Sequence, residues 1–186
     1  MLILRGTSKI KKFALSCNGL FDESRINAWI STIIRCEVAE LILVIEVKEA
    51  FKNPLSLFTC ESLIKLKLEI NSILYLPKSI SFPRLRYLEL YRVKFRDEYL
   101  NEQLFSNCPV LEELILLECT WVNMKSVCIS APALKRLMID GHYRANGDII
   151  HNCEVKIHAP GLEYLTYKME IKIKRRFLRL GEDSKI

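Results

Sequence analysis

The sequence predicts an α/β solenoid: short parallel strands on a concave face, with short helices and extended segments on the convex one. Three observations carry that expectation. An apolar frame of the form L-x-x-L-x-L recurs along the whole 186-residue chain. Its starts lie 28, 25, 22, 26, 23 and 28 residues apart. Four of the frames are announced by Pro-x-Leu, at Pro83, Pro109, Pro132 and Pro160. Proline there fixes φ and removes a donor just before a strand ladder begins.

The seven frames are Ile10, Phe13, Leu15; Val38, Leu41, Leu43; Leu63, Leu66, Leu68; Leu85, Leu88, Leu90; Leu111, Leu114, Leu116; Leu134, Leu137, Ile139; and Leu162, Leu165, Tyr167. Such a period is that of a leucine-rich repeat, in which each unit supplies one strand and a return segment. The second and third apolar residues are two apart, so they share one face of an extended segment. Parallel pairing needs a long crossover, and 22 to 28 residues per turn supply it. The expected strands are 10–15, 38–43, 63–68, 85–90, 111–116, 134–139 and 162–167. They form a right-handed arc in one domain, 1–186, with a basic end at 170–186. Stacked units of this kind bury one continuous core.

The return segments differ from one another. Ile26, Trp29, Ile30 and Ile33 follow helical spacing, which predicts a helix over 24–35 with Asp22 or Ser24 as its cap. Ile70 to Ser81 is too short for that. Its Leu74, Leu76 and Ile80 suit loose extended or single-turn structure. Asp97 and Glu98 lead a second helix over 97–106, with Leu100, Leu104 and Phe105 turned inward and Asn107-Cys108-Pro109 ending it. Trp121 to Ser130 reads as extended, with Val127 and Ile129 inward. Tyr143 to Asp148, beside Gly141 and holding Asn146-Gly147, is the most loop-like stretch. Asn18, Asn71 and Cys119 each fall three residues after their frame, where the chain turns inward.

Residues alternating with the apolar frame face outward on the concave side. In the middle of the array they are Tyr87, Glu89 and Tyr91, then Glu113, Ile115 and Leu117, then Arg136 and Met138. Aromatic and methionine anchors with charged neighbours describe a protein-binding patch. Shielding by neighbouring strands or by a further domain explains the same residues equally well.

The formal charge is +6, and it is uneven. From Lys168 to the end, seven Lys or Arg face three acidic residues, so that stretch holds +4 and the rest only +2. A basic end of this kind leaves open a nucleic-acid or membrane-surface binding module. A solvated edge strand guarded by charge also accounts for it, and Lys172 to Arg179, with Phe177 its one aromatic, offers no aromatic platform for stacking bases. Glu40, Glu69, Glu89, Glu113 and Asp140 interrupt the concave face, which disfavours nucleic acid there.

No run approaches the 18 apolar residues of a membrane span, and Lys9, Lys11 and Lys12 leave no room for a secretory core. The seven cysteines are odd in number and form no Cys-x-x-Cys pair. They read as reduced, largely buried thiols, which implies the cytoplasm or nucleus. His142, His151 and His158 do not assemble a metal site with Cys153, and no phosphate loop or nucleophile motif occurs. Glu112 and Glu113 lie opposite Lys135 and Arg136, so cross-strand pairing explains them without acid–base chemistry. The expectation is a non-enzymatic binding module with no metal and no cofactor.

Several segments together resemble a known family. They are Ile10-Lys-Lys-Phe-Ala-Leu-Ser-Cys17, the helix with Trp29-Ile30, and Asn53-Pro-Leu-Ser-Leu-Phe-Thr-Cys-Glu-Ser-Leu63. Phe82-Pro-Arg-Leu-Arg-Tyr-Leu-Glu-Leu90, Asn107-Cys-Pro-Val-Leu-Glu-Glu-Leu-Ile-Leu116 and Ser130-Ala-Pro-Ala-Leu-Lys-Arg-Leu137 complete them. Over roughly residues 8 to 168 the chain resembles the leucine-rich-repeat region of plant F-box proteins that often end in an FBD domain. The resemblance implies that the repeats hold a protein to be ubiquitinated. It also implies that an F-box, where present, binds the linker subunit of the ligase. The sequence starts its repeats at Ile10 and ends soon after Tyr167, so it reads as a truncated member without F-box or FBD domain. Binding of the linker subunit by this chain alone is not expected. A structural repeat fragment without independent function is the remaining alternative.

Overall fold

The computed structural model of the protein describes residues 10–19, 22–46, 51–144 and 153–172. In chain order its strands are β1 (Lys12–Asn18), β2 (Glu40–Glu46), β3 (Lys65–Ile70), β4 (Tyr87–Tyr91), β5 (Lys94–Phe95), β6 (Glu113–Leu117), β7 (Thr120–Trp121), β8 (Ser126–Ser130), β9 (Arg136–Arg144), β10 (Glu154–His158) and β11 (Tyr164–Lys172). Helices α1 (Glu23–Arg35) and α2 (Glu98–Ser106) and a 3-10 turn at Leu55–Thr59 lie between them. Among the described residues, seven strands form one sheet in the order β1-β2-β3-β4-β6-β9-β11. Every pairing in it is parallel. Two small parallel pairs, β5 with β7 and β8 with β10, lie on the return segments.

Each sheet strand starts two residues after its frame opens, at 12, 40, 65, 87, 113, 136 and 164 rather than at the frame's first apolar residue. The reason is local. In the four Pro-x-Leu units the leading leucine closes a tight turn. The amides of Leu85, Leu111, Leu134 and Leu162 donate to the carbonyls of Phe82, Cys108, Ala131 and Ala159 at 3.3, 3.1, 3.2 and 3.1 Å. Proline is the second residue of each turn, where its fixed φ is already correct.

A second recurring device sets the register. The carbonyls of Lys11, Ala39, Ile64, Arg86, Glu112 and Lys135 each accept two consecutive amides from the next unit, at 2.8–3.2 Å. The ladder therefore begins at the same place in every unit. Leu41, Leu66, Leu88, Leu114, Leu137 and Leu165 fall in one row across six strands. Leu43, Leu68, Leu90, Leu116, Ile139 and Tyr167 form the next.

From β2 to β9 these rows meet the return segments in one core cluster with Ile26, Ile30 and Ile33 of α1, Phe58, Phe82, Phe95 and Phe105. Asp22 caps α1, accepting from the Ser24 amide at 2.9 Å and the Ser24 hydroxyl at 2.7 Å. Those bonds hold its carboxyl below the usual range. Asp97 caps α2 through the Leu100 amide at 2.9 Å. The helix does not turn Leu100 fully inward as its spacing predicts. Asn101 takes the buried place instead, its amide nitrogen 3.3 Å from the Met124 sulfur, while Leu100 is half-buried. Between Ile70 and Ser81 the chain bends at Asn71 and Ser72 and makes one bridge, Ile73 to Lys94, with Leu74 and Ile80 buried. The 3-10 turn at Leu55–Thr59 had no helical periodicity to announce it; it buries Leu57 and Phe58.

The last frame departs from expectation. Leu137 and Ile139 on β9 are 2% and 1% exposed, whereas their neighbours Leu165 and Tyr167 on β11 are 53% and 52% exposed. No described strand lies beyond β11. Of the predicted loop 143–148, Tyr143 and Arg144 belong to β9 and the remainder lies outside the described residues. Of the basic end at 170–186, residues 170–172 belong to β11 and the remainder lies outside the described residues.

Glu98 ties α2 to the next unit, accepting from the amides of Lys125 and Ser126, the latter at 3.1 Å. Those donors lower its pKa from the ordinary glutamate value. A carboxyl with a lowered folded-state pKa stabilises the fold above its unfolded value and loses that contribution as pH falls through the folded one. Glu98→Gln is therefore expected to flatten the acid side of the stability curve. Urea melts at stepped pH check this. An acid slope identical to that of the parent would refute the link.

All seven cysteines are free thiols. Cys60, Cys108 and Cys119 are buried; Cys17, Cys36, Cys128 and Cys153 are only partly so. Burial pushes Cys108 and Cys119 up to about 12, and Cys119 lies 3.3 Å from the Leu90 carbonyl. A thiolate is the reactive form, so these two should resist alkylation in the native protein. Mass spectrometry after brief native labelling should find them modified only once denaturant is added.

Candidate protein-binding face

The side of the sheet turned away from the core carries the predicted site. All eight residues lie on three adjacent strands, in register. Tyr87, Glu113 and Arg136 form one row across β4, β6 and β9. Glu89, Ile115 and Met138 form the second, and Tyr91 and Leu117 continue to Asp140 in the third. Arg136 is exposed and the other seven are half-buried. The period-two pleat alone produces this grouping, because the core residues between them occupy the opposite face.

Charged side chains fix the two tyrosines. The Tyr87 hydroxyl donates to the Glu89 carboxylate. Lys67 on β3 stands 2.6 Å from that carboxylate, and the Lys65 ammonium lies 4.1 Å above the Tyr87 ring centre. Burial, and then the bond to Glu89, raise the pKa of Tyr87. Burial pushes Glu89 upward too, but Lys67 and Tyr87 outweigh it and leave its carboxyl below the ordinary value.

Tyr91 is held from the other end of the strand. Its hydroxyl donates to Glu118 at 3.2 Å, and the Arg92 guanidinium stacks 4.7 Å from its ring centre. Arg92 reaches Glu118 at 3.2 Å, Glu69 at 3.8 Å and Glu46 at 3.9 Å. Arg92 and Glu118 both have left-handed backbones, with φ of 57° and 49°. That conformation is costly for a residue with a Cβ. It recurs one residue past β4 and one past β6, where the amides donate to Leu117 O at 2.9 Å and Asp140 O at 2.7 Å. The turn thereby places opposite charges side by side.

Sequence reasoning passed over Arg92 and Glu118 as functional candidates. A signal was available: they occupy the same place in adjacent units and carry opposite charge. It also did not name Arg86, just before β4, whose guanidinium meets the Glu112 carboxylate at 3.0 Å. Among the described residues no group of three His, Cys, Asp or Glu side chains is placed to hold a metal, and His151 lies outside them. No helix among them is long and apolar enough to cross a membrane.

The eight residues lie side by side on the outward face of three neighbouring strands. A rigid pair of rings beside Ile115, Leu117 and Met138 suits contact with another chain. The family model for the leucine-rich repeats of FBD-associated F-box protein At5g56370 matches residues 26–180. The chain belongs to that F-box/FBD leucine-rich-repeat family. It is 33% identical over 159 residues to the FBD-associated F-box protein At3g52670 of Arabidopsis thaliana, covering 84% of this chain and 36% of that protein. It is 32% identical over 169 residues to the putative F-box protein At3g58860 of the same plant, with 90% and 35% covered. The F-box/LRR-repeat protein At4g14096, also from Arabidopsis thaliana, is 29% identical over 168 residues, with 90% and 35% covered. The chain thus spans about a third of the length of these curated relatives. No solved structure matches it. In F-box/FBD leucine-rich-repeat terms, the eight face residues all fall on the repeat strands within the matched span.

Proposed function

We propose that this chain is a protein-interaction module and that Tyr87, Glu89, Tyr91, Glu113, Ile115, Leu117, Arg136 and Met138 form its contact surface. In this reading the units wind as a right-handed arc with those strands on its concave side. The module does the work of the substrate-recognition repeats of an F-box ubiquitin-ligase adaptor, in the cytoplasm or nucleus. The observation that carries the reading is the locking of Tyr87 and Tyr91 beside an apolar patch. Rings already held by their hydroxyl bonds and by a cation over one face lose little further freedom on contact, which is how preorganised interface anchors work. Ile115, Leu117 and Met138 supply adaptable apolar area beside them. Glu89, Glu113 and Arg136 orient the partner more than they strengthen the contact.

The test is capture from plant extract by the tagged chain, beside Tyr91→Ala and Leu117→Ala. Truncating central anchors costs at least about 2 kcal/mol, roughly thirtyfold, at an interface hot spot. Both variants should lose the proteins that the parent retains while keeping its circular dichroism and melting point. Unchanged capture by folded variants would place recognition elsewhere.

A further inference from the structure

We propose that the return-segment side carries a second docking site: a notch between residues 73–76 and the start of α2 that seats one large apolar side chain of a partner protein, flanked in that partner by carboxylates. The unit from Leu63 to Leu85 is the shortest in the array, at 22 residues. Its return holds no helix, whereas the next return holds α2. The near flank of α2 therefore has no helix to pack against. What remains is a notch of about 180 Å³, with Ile73, Tyr75 and Leu76 on one wall and Arg96, Leu100 and Asn101 on the other.

The volume sets the kind of occupant. A cavity of about 150 Å³ holds a benzene ring, while pockets for whole small molecules begin near about 300 Å³. One phenylalanine or leucine side chain matches the notch. Tyr75 is 40% exposed and offers its ring as a wall. Ile73, Leu76 and Leu100 are half-buried and supply the apolar lining.

Charge selects what flanks that side chain. Arg96 lines the notch, and Lys94 is bridged to Ile73. Paired residues of neighbouring strands point to the same face, so Lys94 shares the outward side of Ile73. Both cations are exposed, and among the described residues neither has an ion-pair partner. The nearby carboxylates are committed. Asp97, also in the lining, accepts from the Leu100 amide at 2.9 Å, and Glu98 accepts from the amides of Lys125 and Ser126. The rim therefore favours aspartate or glutamate beside the apolar anchor and rejects lysine and arginine. Tyr91 and Leu117 lie on the other side of the sheet, so the chain can hold two proteins at once.

The probe is a capped, fluorescently labelled peptide with one phenylalanine between two pairs of aspartates, titrated into the 186-residue chain. Fluorescence anisotropy should show saturable binding at sub-millimolar concentration, weakened by salt. Replacing the phenylalanine by alanine, or the aspartates by lysines, should abolish it. Arg96→Glu should weaken binding by about tenfold and favour the lysine-flanked peptide instead. Tyr75→Ala should weaken it roughly fivefold. Tyr91→Ala and Leu117→Ala should leave it unchanged, which separates this site from the contact surface proposed above. Circular dichroism verifies folding, and the peptide comparisons on the parent decide the matter even where a variant does not fold. No saturable binding, equal binding of the alanine or lysine peptide, or indifference of folded variants to both Arg96→Glu and Tyr75→Ala would each overturn the proposal.

Discussion

Leu114→Ala is expected to lower the free energy of unfolding by about 2–5 kcal/mol. Leu114 is fully buried in β6, with Leu88 and Leu137 on either side in register. Those neighbours are held by their own ladders and cannot close over the space left by a truncated side chain. A single domain typically has about 5–15 kcal/mol in total, so the variant loses much of its margin. Leu165 occupies the same row but is 53% exposed. Leu165→Ala is expected to cost under about 0.5 kcal/mol. Urea midpoints measured side by side decide the matter. Equal shifts would mean that the row, and not burial, sets the cost.

Phe82→Ala is expected to cost about 3–5 kcal/mol. The ring is fully buried and meets Phe58 edge-on at 6.4 Å between centres. The residue also joins successive units through its backbone. Its amide donates to Asn107 at 3.1 Å, and its carbonyl accepts from Leu85 at 3.3 Å. Loss of the ring removes packing from the 3-10 turn on one side and the start of β4 on the other. In a repeat array each unit depends on its neighbours, so protection from hydrogen exchange should fall in both units as well as at the site. Loss confined to residues beside Phe82 would argue against coupling between units.

The repeating part of the fold was legible because it obeys two short-range rules. Apolar residues two apart define one strand face, and a proline two residues before a leucine defines the turn before it. Leu88, Leu90, Leu114 and Leu116 lie in the core as their spacing implies. The two helices announced themselves through Asp22 and Asp97 and through the apolar stripe of α1. The turn at Leu55–Thr59 did not, because one turn is too short to establish a period. Asn101 was hidden for another reason: its burial depends on a single acceptor, the Met124 sulfur, far along the chain.

The face residues could be grouped from spacing because register follows from the frame. What holds them could not. The Arg92 cluster depends on two left-handed turns, and neither uses the glycine that marks such turns in a sequence. The Glu112–Arg86 contact reaches to the earlier strand, although Lys135 and Arg136 stand equally near on the later one by spacing alone. Side-chain choice between two neighbours is a tertiary decision. Likewise, the apolar frame at Leu162, Leu165, Tyr167 looks like any other in sequence, yet Leu165 and Tyr167 are half exposed where the same positions on β9 are buried.

The carbonyls that each accept two amides from the next unit give the sheet a coordinate system. Insertions or deletions in a return segment leave those coordinates unchanged, which is how spacings from 22 to 28 coexist with an unbroken register. The outward triplet on any strand can then be exchanged without disturbing the core rows behind it. A lineage of such chains can diversify what it touches one strand at a time. Grafting Glu113, Ile115 and Leu117 into the corresponding strand of a relative would carry that part of its surface as a transferable cassette.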